Sequence, residues 1–83
     1  MARVNWERSA ILELGKIDSE KRRRILKKIS WLKENFELVV HNTLAENLAG
    51  CYKLRVGDYR VLYEMQNSTI IILKVGHRRE VYD

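Results

Sequence analysis

The sequence predicts an α+β domain, residues 1–83 forming one unit, in which a two-helix hairpin covers one face of a four-stranded sheet of order 1-4-3-2. Three stretches carry this expectation. IDSEKRRRILKKISWLKENF repeats apolar residues at helical spacing, YKLRVGDYRVLYE alternates about a Gly-Asp pair, and TIIILKVG is apolar at successive positions. They read in turn as an amphipathic helix, a β-hairpin and a strand covered on both faces.

The elements follow in order. Residues 2–6, ARVNW, alternate and form a first strand, after which ERSAILELGK suggests a short helix with Ala10, Ile11 and Leu14 on its packed side and Gly15 at its end. In the second helix Asp18 is placed to cap the N-terminus and Glu20 sits favourably in the first turn, while Ile25, Ile29, Leu32 and Phe36 form the stripe to be buried. Residues 38–50 contain Asn42, Thr43, Asn47 and Gly50 and read as a loop with a helical turn around residues 44–48. Strands are expected at 51–56, 59–66 and 69–76, the last two joined by Asn67 and Ser68. The doubly apolar last strand belongs in the middle, between the hairpin and a first strand laid along its free edge.

Register decides what the hairpin presents. With Gly57-Asp58 as a two-residue turn of type II′, Val56 pairs with Tyr59, Arg55 with Arg60 and Lys53 with Leu62. Alternation then puts Lys53, Arg55 and Arg60 on one face and Tyr52, Leu54, Val56, Tyr59, Val61 and Tyr63 on the core face. Like charges directly opposed across a ladder are unfavourable, so this arrangement suits function better than stability. On this reading Arg60 is a surface cation whose removal leaves stability unchanged or slightly raised. The alternative is an ordinary solvated face.

Composition narrows the partners. A net charge of +5 and a pI of about 9.6 favour a polyanion, whether nucleic acid, an anionic membrane or an acidic protein segment. The longest uncharged run is the nine residues Met65 to Leu73, so no transmembrane or secretory segment is expected. One cysteine excludes an internal disulfide framework, and with His41 and His77 as the other soft ligands no metal site or cofactor is expected. Cys51 reads as a small packing residue in a reducing, cytoplasmic setting. Arg23, Arg24, Lys27 and Lys28 lie opposite the apolar stripe of the second helix, with Trp31 beside them. They form either a solvated face or a contact for a phosphate backbone, with Trp31 stacking or packing on the partner.

The C-terminal VGHRREVYD adds His77, Arg78, Arg79 and Tyr82 to these cations. No pair of carboxylates suits glycosidase-like acid–base work, and there is no glycine-rich phosphate loop or metal-binding cluster, so a site here would hold a phosphodiester and stabilise the negative charge that develops on attack. His77 could share acid–base work, because histidine titrates near neutrality, or simply cap the strand end.

The pattern LAGCYKLRVGDYRVLYE, followed by an apolar strand and VGHRREVY, resembles the RelE/ParE superfamily of prokaryotic toxins from the first strand to Tyr82. The cations bring it nearer to the RelE branch. That resemblance implies a toxin of a type II toxin–antitoxin system: a ribosome-dependent endoribonuclease that cuts messenger RNA in the ribosomal A site, without metal, by activating the RNA 2′-hydroxyl against the adjacent phosphate. It implies catalytic roles for Lys53, Arg55, Arg60, Arg78 and Tyr82, the tyrosine stacking on a base. Arg55 departs from the pattern, since many relatives carry lysine there. Arginine keeps its proton, so the arginines suit charge stabilisation, whereas Lys53 is the better candidate for proton transfer, with Arg55 and Arg60 disfavouring its ammonium form. The implied partners are a cognate RelB-like antitoxin and the ribosome, bound through Arg23, Arg24, Lys27 and Lys28, with no membrane. The alternatives are a ParE-like inhibitor of DNA gyrase and a non-catalytic binding or regulatory member.

Overall fold

The computed structural model of the chain describes residues 3–38, 42–43 and 51–81. Its elements are β1 (Arg3–Trp6), α1 (Arg8–Gly15), α2 (Ser19–Glu34), β2 (Asn42–Thr43), β3 (Cys51–Val56), β4 (Tyr59–Gln66) and β5 (Thr69–His77). The sheet order is β1-β5-β4-β3-β2. The four principal strands thus take the expected order, with β5 central, parallel to β1 and antiparallel to β4. The strand β2 is an addition. It lies on the edge of β3 within a stretch expected to be loop, pairing Asn42 with Lys53 and Thr43 with Tyr52. The expected helical turn at 44–48 falls outside the described residues, as does the proposed first residue of β1, Ala2.

The hairpin register is the one the alternation predicts: Val56 faces Tyr59, Arg55 faces Arg60 and Lys53 faces Leu62. Gly57 alone of the two turn residues has positive φ, at 59°, as a type II′ turn requires. Asn67 has φ of 56° in the second turn, a conformation that asparagine tolerates better than most side chains.

The helices cover one face. Asp18 accepts a hydrogen bond from the Lys21 backbone N–H at 3.0 Å, which fixes the start of α2. Ile25, Ile29 and Leu32 are buried against Val61, Tyr63, Ile70, Ile72 and Val75, with Phe36, just past the helix, half-buried beside them. In α1, Ala10 is buried and Leu14 packs on the core, but Ile11 is 53% exposed and belongs to the outer side. The eight-residue helix is too short for its sequence pattern to distinguish the two faces at that position. No helix among the described residues is long and apolar enough to cross a membrane.

An irregularity in β5 shapes one end of the sheet. Leu62 pairs with Lys74 but Tyr63 pairs with Ile72, so Leu73 is an extra residue and the inward set passes from Ile70 and Ile72 to Val75. Glu13 of α1 completes the bulge. Its carboxylate accepts from the Val75 backbone N–H at 3.0 Å and from Lys74 Nζ at 2.8 Å.

Candidate functional site

Alternation along β3 and β4 places Lys53, Arg55 and Arg60 on the sheet face away from the packed helices. Lys53 is half-buried, flanked by β2 and paired with Leu62, whereas Arg55 at the hairpin end is exposed.

Arg60 corrects the reading from sequence. It is 5% exposed rather than a surface cation, and its Nη1 donates to the carbonyl oxygens of Gly57 and Tyr59, each at 2.9 Å. The cause lies beyond the hairpin. Arg60 pairs with Gly76, and a Cβ at Gly76 would come within 3.0 Å of Val81 Cγ2, so the absent side chain lets the C-terminal turn fold closely over the sheet. Val81 itself is buried. The turn is held by hydrogen bonds from the Glu80 and Val81 N–H groups to the His77 carbonyl, at 2.7 and 3.1 Å.

The same turn positions Arg78. Its backbone N–H donates to the Asp58 carbonyl at 2.8 Å, tying the end of β5 to the hairpin turn, and its exposed side chain approaches Asp58 Oδ1 at 4.0 Å. His77 does not join this group. Its ring stands edge-on to Tyr59, a residue of the helix-covered face, at 5.6 Å between centroids. Its Nδ1 accepts from the Arg79 backbone N–H at 3.1 Å, a capping role at the strand end. Tyr82 lies outside the described residues.

The basic face of α2 meets the hairpin. A groove between them is lined by Arg24, Lys27, Lys28, Trp31, Arg55, Val56 and Gly57. Arg24 lies against the turn, its Nη2 3.4 Å from where a Cβ at Gly57 would stand, and Lys28 Nζ sits 4.3 Å from the Trp31 ring centroid. Arg23 is exposed but does not line the groove. Two sets of cations that are separate in sequence therefore adjoin through Arg24 and Arg55. Sequence reasoning missed this junction, as well as Lys21, whose Nζ lies 5.9 Å from the Tyr59 ring centroid.

Among the tyrosines, Tyr63 is perturbed. Burial in the core, assisted by the nearby Tyr52, pushes its hydroxyl pKa up to about 12. The two rings stack at 5.7 Å with 28° between their planes.

Chemically, these surfaces favour anions: fixed guanidinium groups stabilise phosphate charge, and an exposed indole offers a ring face for stacking. The profile of the ParE toxin family, described as the ParE toxin of the type II toxin–antitoxin system parDE, matches residues 4–82. Toxin RelG of Mycobacterium tuberculosis is 40% identical over 47 residues, which make up 54% of each chain. Toxin RelE3 of Methanocaldococcus jannaschii is 47% identical over 32 residues, 39% of this chain and 36% of that protein. These alignments span about half or less of the curated relatives. Over nearly its whole length the fold superposes on a chain of the toxin–antitoxin complex RelBE2 of Mycobacterium tuberculosis with a TM-score of 0.81 and 29% identity, covering 93% of this chain and 98% of the other.

Proposed function

The chain belongs to the RelE/ParE superfamily of type II toxin–antitoxin toxins, through the ParE toxin family matched over residues 4–82, and from that premise we propose that it is a ribosome-dependent messenger RNA endoribonuclease. The observation that carries this reading is the cross-strand register placing Lys53, Arg55 and Arg60 on one sheet face, with Arg78 tied to the adjoining turn. The RelG and RelE3 similarities support the same branch.

In this reading the messenger's phosphodiester lies over the face of Lys53 and Arg55. Lys53 Nζ accepts the 2′-hydroxyl proton as the oxygen attacks the adjacent phosphorus, the P–O5′ bond breaks with the 5′-oxygen taking up a proton from water, and a 2′,3′-cyclic phosphate remains. Arg55 and Arg78 stabilise the added negative charge. Arg60 is held by two carbonyls below the surface, so it acts as a fixed charge and as the brace of the turn. Tyr82 stacks on a base and completes the site. No step calls for a metal. The ribosome supplies the substrate geometry that this small surface lacks.

Docking on ribosomal RNA falls to Arg24, Lys27 and Lys28, with Arg23 at the margin, and action takes place in the cytoplasm. The RelBE2 complex pairs its toxin with an antitoxin. By analogy a RelB-like antitoxin covers the basic surface of this chain.

A second reading, inhibition of DNA gyrase by protein binding, is favoured by the matched profile, whose description names ParE. Incubating the purified protein with free messenger and with programmed ribosomes separates the two. Site-specific cutting on the ribosome alone supports the nuclease; intact messenger together with blocked gyrase supports the alternative.

A further inference from the structure

The groove between α2 and the hairpin gathers Arg24, Lys27, Lys28 and Arg55 around Trp31, with no acidic residue among those lining it. Trp31 is 44% exposed. A single exposed aromatic is ordinary on a protein surface. Here, however, the ring shares one groove with cations from two elements, and Lys28 already engages its π-system at 4.3 Å. We propose that this groove is a nucleotide subsite for single-stranded RNA, in which an unpaired base stacks on Trp31 while the flanking phosphates meet Arg24, Lys27 and Arg55.

The proposal rests on the reading of the chain as a toxin that acts on RNA, and it names the form in which RNA is held. Every base has a π-face, so an indole within reach of phosphate-binding cations accepts any sequence. A duplex keeps its bases stacked inside and presents only its backbone, which could engage the cations but not the ring. Arg24 lies close to the Gly57 turn, and the Asp18 cap fixes the start of α2. The groove also leads onward. Arg55 lines it and, by register, belongs to the face that carries Lys53, so an unpaired ribosomal nucleotide held at Trp31 lies beside the proposed reaction site.

The test uses the whole chain in a Trp6→Phe background, which leaves Trp31 as the sole tryptophan. Its fluorescence is titrated with a short unstructured oligoribonucleotide and with a blunt RNA duplex matched in phosphate number. The single strand should quench Trp31 and the duplex should not. Trp31→Leu, made in the otherwise native chain and followed by anisotropy of a labelled oligonucleotide, should weaken single-strand binding roughly 5- to 100-fold with the salt dependence kept, and Trp31→Phe should recover most of that loss. Equal quenching by both RNAs, or a Trp31→Leu variant that binds the single strand at full strength, overturns the subsite. Cleavage on programmed ribosomes, run in parallel, keeps the two readings apart. Cutting with a silent Trp31 removes the subsite and leaves the enzyme; quenching that depends on Trp31 without any cutting keeps the subsite and removes the enzyme.

Discussion

Arg55 and Arg60 are direct partners across the β3–β4 ladder, yet only Arg55 is exposed; Arg60 is 5% exposed beside Gly76, with its guanidinium donating to the carbonyls of Gly57 and Tyr59. The pair is therefore divided, one cation exposed at the hairpin end and one built into the turn.

Stability should follow that division. Replacing Arg60 with leucine keeps apolar volume but removes two charge-assisted hydrogen bonds, and should cost about 2–4 kcal/mol in chemical denaturation. Arg55→Leu, at an exposed position, should cost less than Arg60→Leu, at most about 1 kcal/mol. Arg60→Lys should fall between, since it keeps the charge without the planar fork. An Arg60→Leu protein as stable as the parent would show that the buried bonds contribute nothing.

At Gly57 the positive φ of 59° disfavours any side chain, while a Cβ there would meet the end of Arg24 only at van der Waals distance, 3.4 Å from Nη2. Gly57→Ala should destabilise the protein by about 1–2 kcal/mol, whereas Gly57→Asn, better tolerated in this region, should cost less. Denaturation midpoints measure both. Equal losses would mean that crowding by Arg24, not backbone strain, sets the penalty.

Where β5 bulges, Glu13 satisfies the Val75 N–H and binds Lys74. Glu13→Ala should cost about 1–3 kcal/mol by leaving that backbone donor without its acceptor. Lys74→Met should cost at most about 1 kcal/mol, because the ion pair is substantially solvated. The order of the two losses in denaturation is the check.

The phenol of Tyr63, pushed up to about 12, couples stability to alkaline pH. Unfolding returns it to an ordinary tyrosine that ionises near 10, so between roughly pH 10 and 12 the folded state holds the proton that the unfolded chain loses. Its contribution is fully present below about pH 10 and is lost as pH rises through about 12. Tyr63→Phe should remove this part of the alkaline loss. Stability curves of equal slope for the two proteins above pH 10 would contradict the assignment.

Neutralising Arg24, Lys27 and Lys28 should reduce the log–log salt slope of ribosome binding by about 0.7–0.9 for each RNA phosphate that no longer meets a cation. Arg23, outside the groove, should contribute less. An unchanged slope in the triple variant would return this helix face to plain solvated surface.

Much of this architecture could be read from sequence wherever the determinant was local. The Gly57-Asp58 turn fixed the hairpin register, Asp18 marked the start of α2, and Ile25, Ile29 and Leu32 identified its buried side. The burial of Arg60 was hidden because it depends on a non-local event, the packing of Val81 over Gly76. The bulge at Leu73 left no trace in an apolar run without alternation, and two residues of β2 are too few to show a period. His77 follows Gly76 in sequence, yet the bulge places its ring beside Tyr59, away from Lys53. The approach of Arg24 to Gly57 required knowing how α2 crosses the hairpin, which periodicity does not encode.

In the proposed reaction Lys53 and its neighbouring cations drive attack by the RNA 2′-hydroxyl. The most direct measurement is single-turnover cleavage of messenger on programmed ribosomes, with the chemistry of the new 3′ end identified, for the parent protein and for Lys53→Met. A cyclic phosphate end, and a rate reduced roughly a hundredfold or more in Lys53→Met while ribosome binding persists, is the predicted result. A 3′-hydroxyl end, or a Lys53→Met protein that cuts at the parent rate, would contradict it.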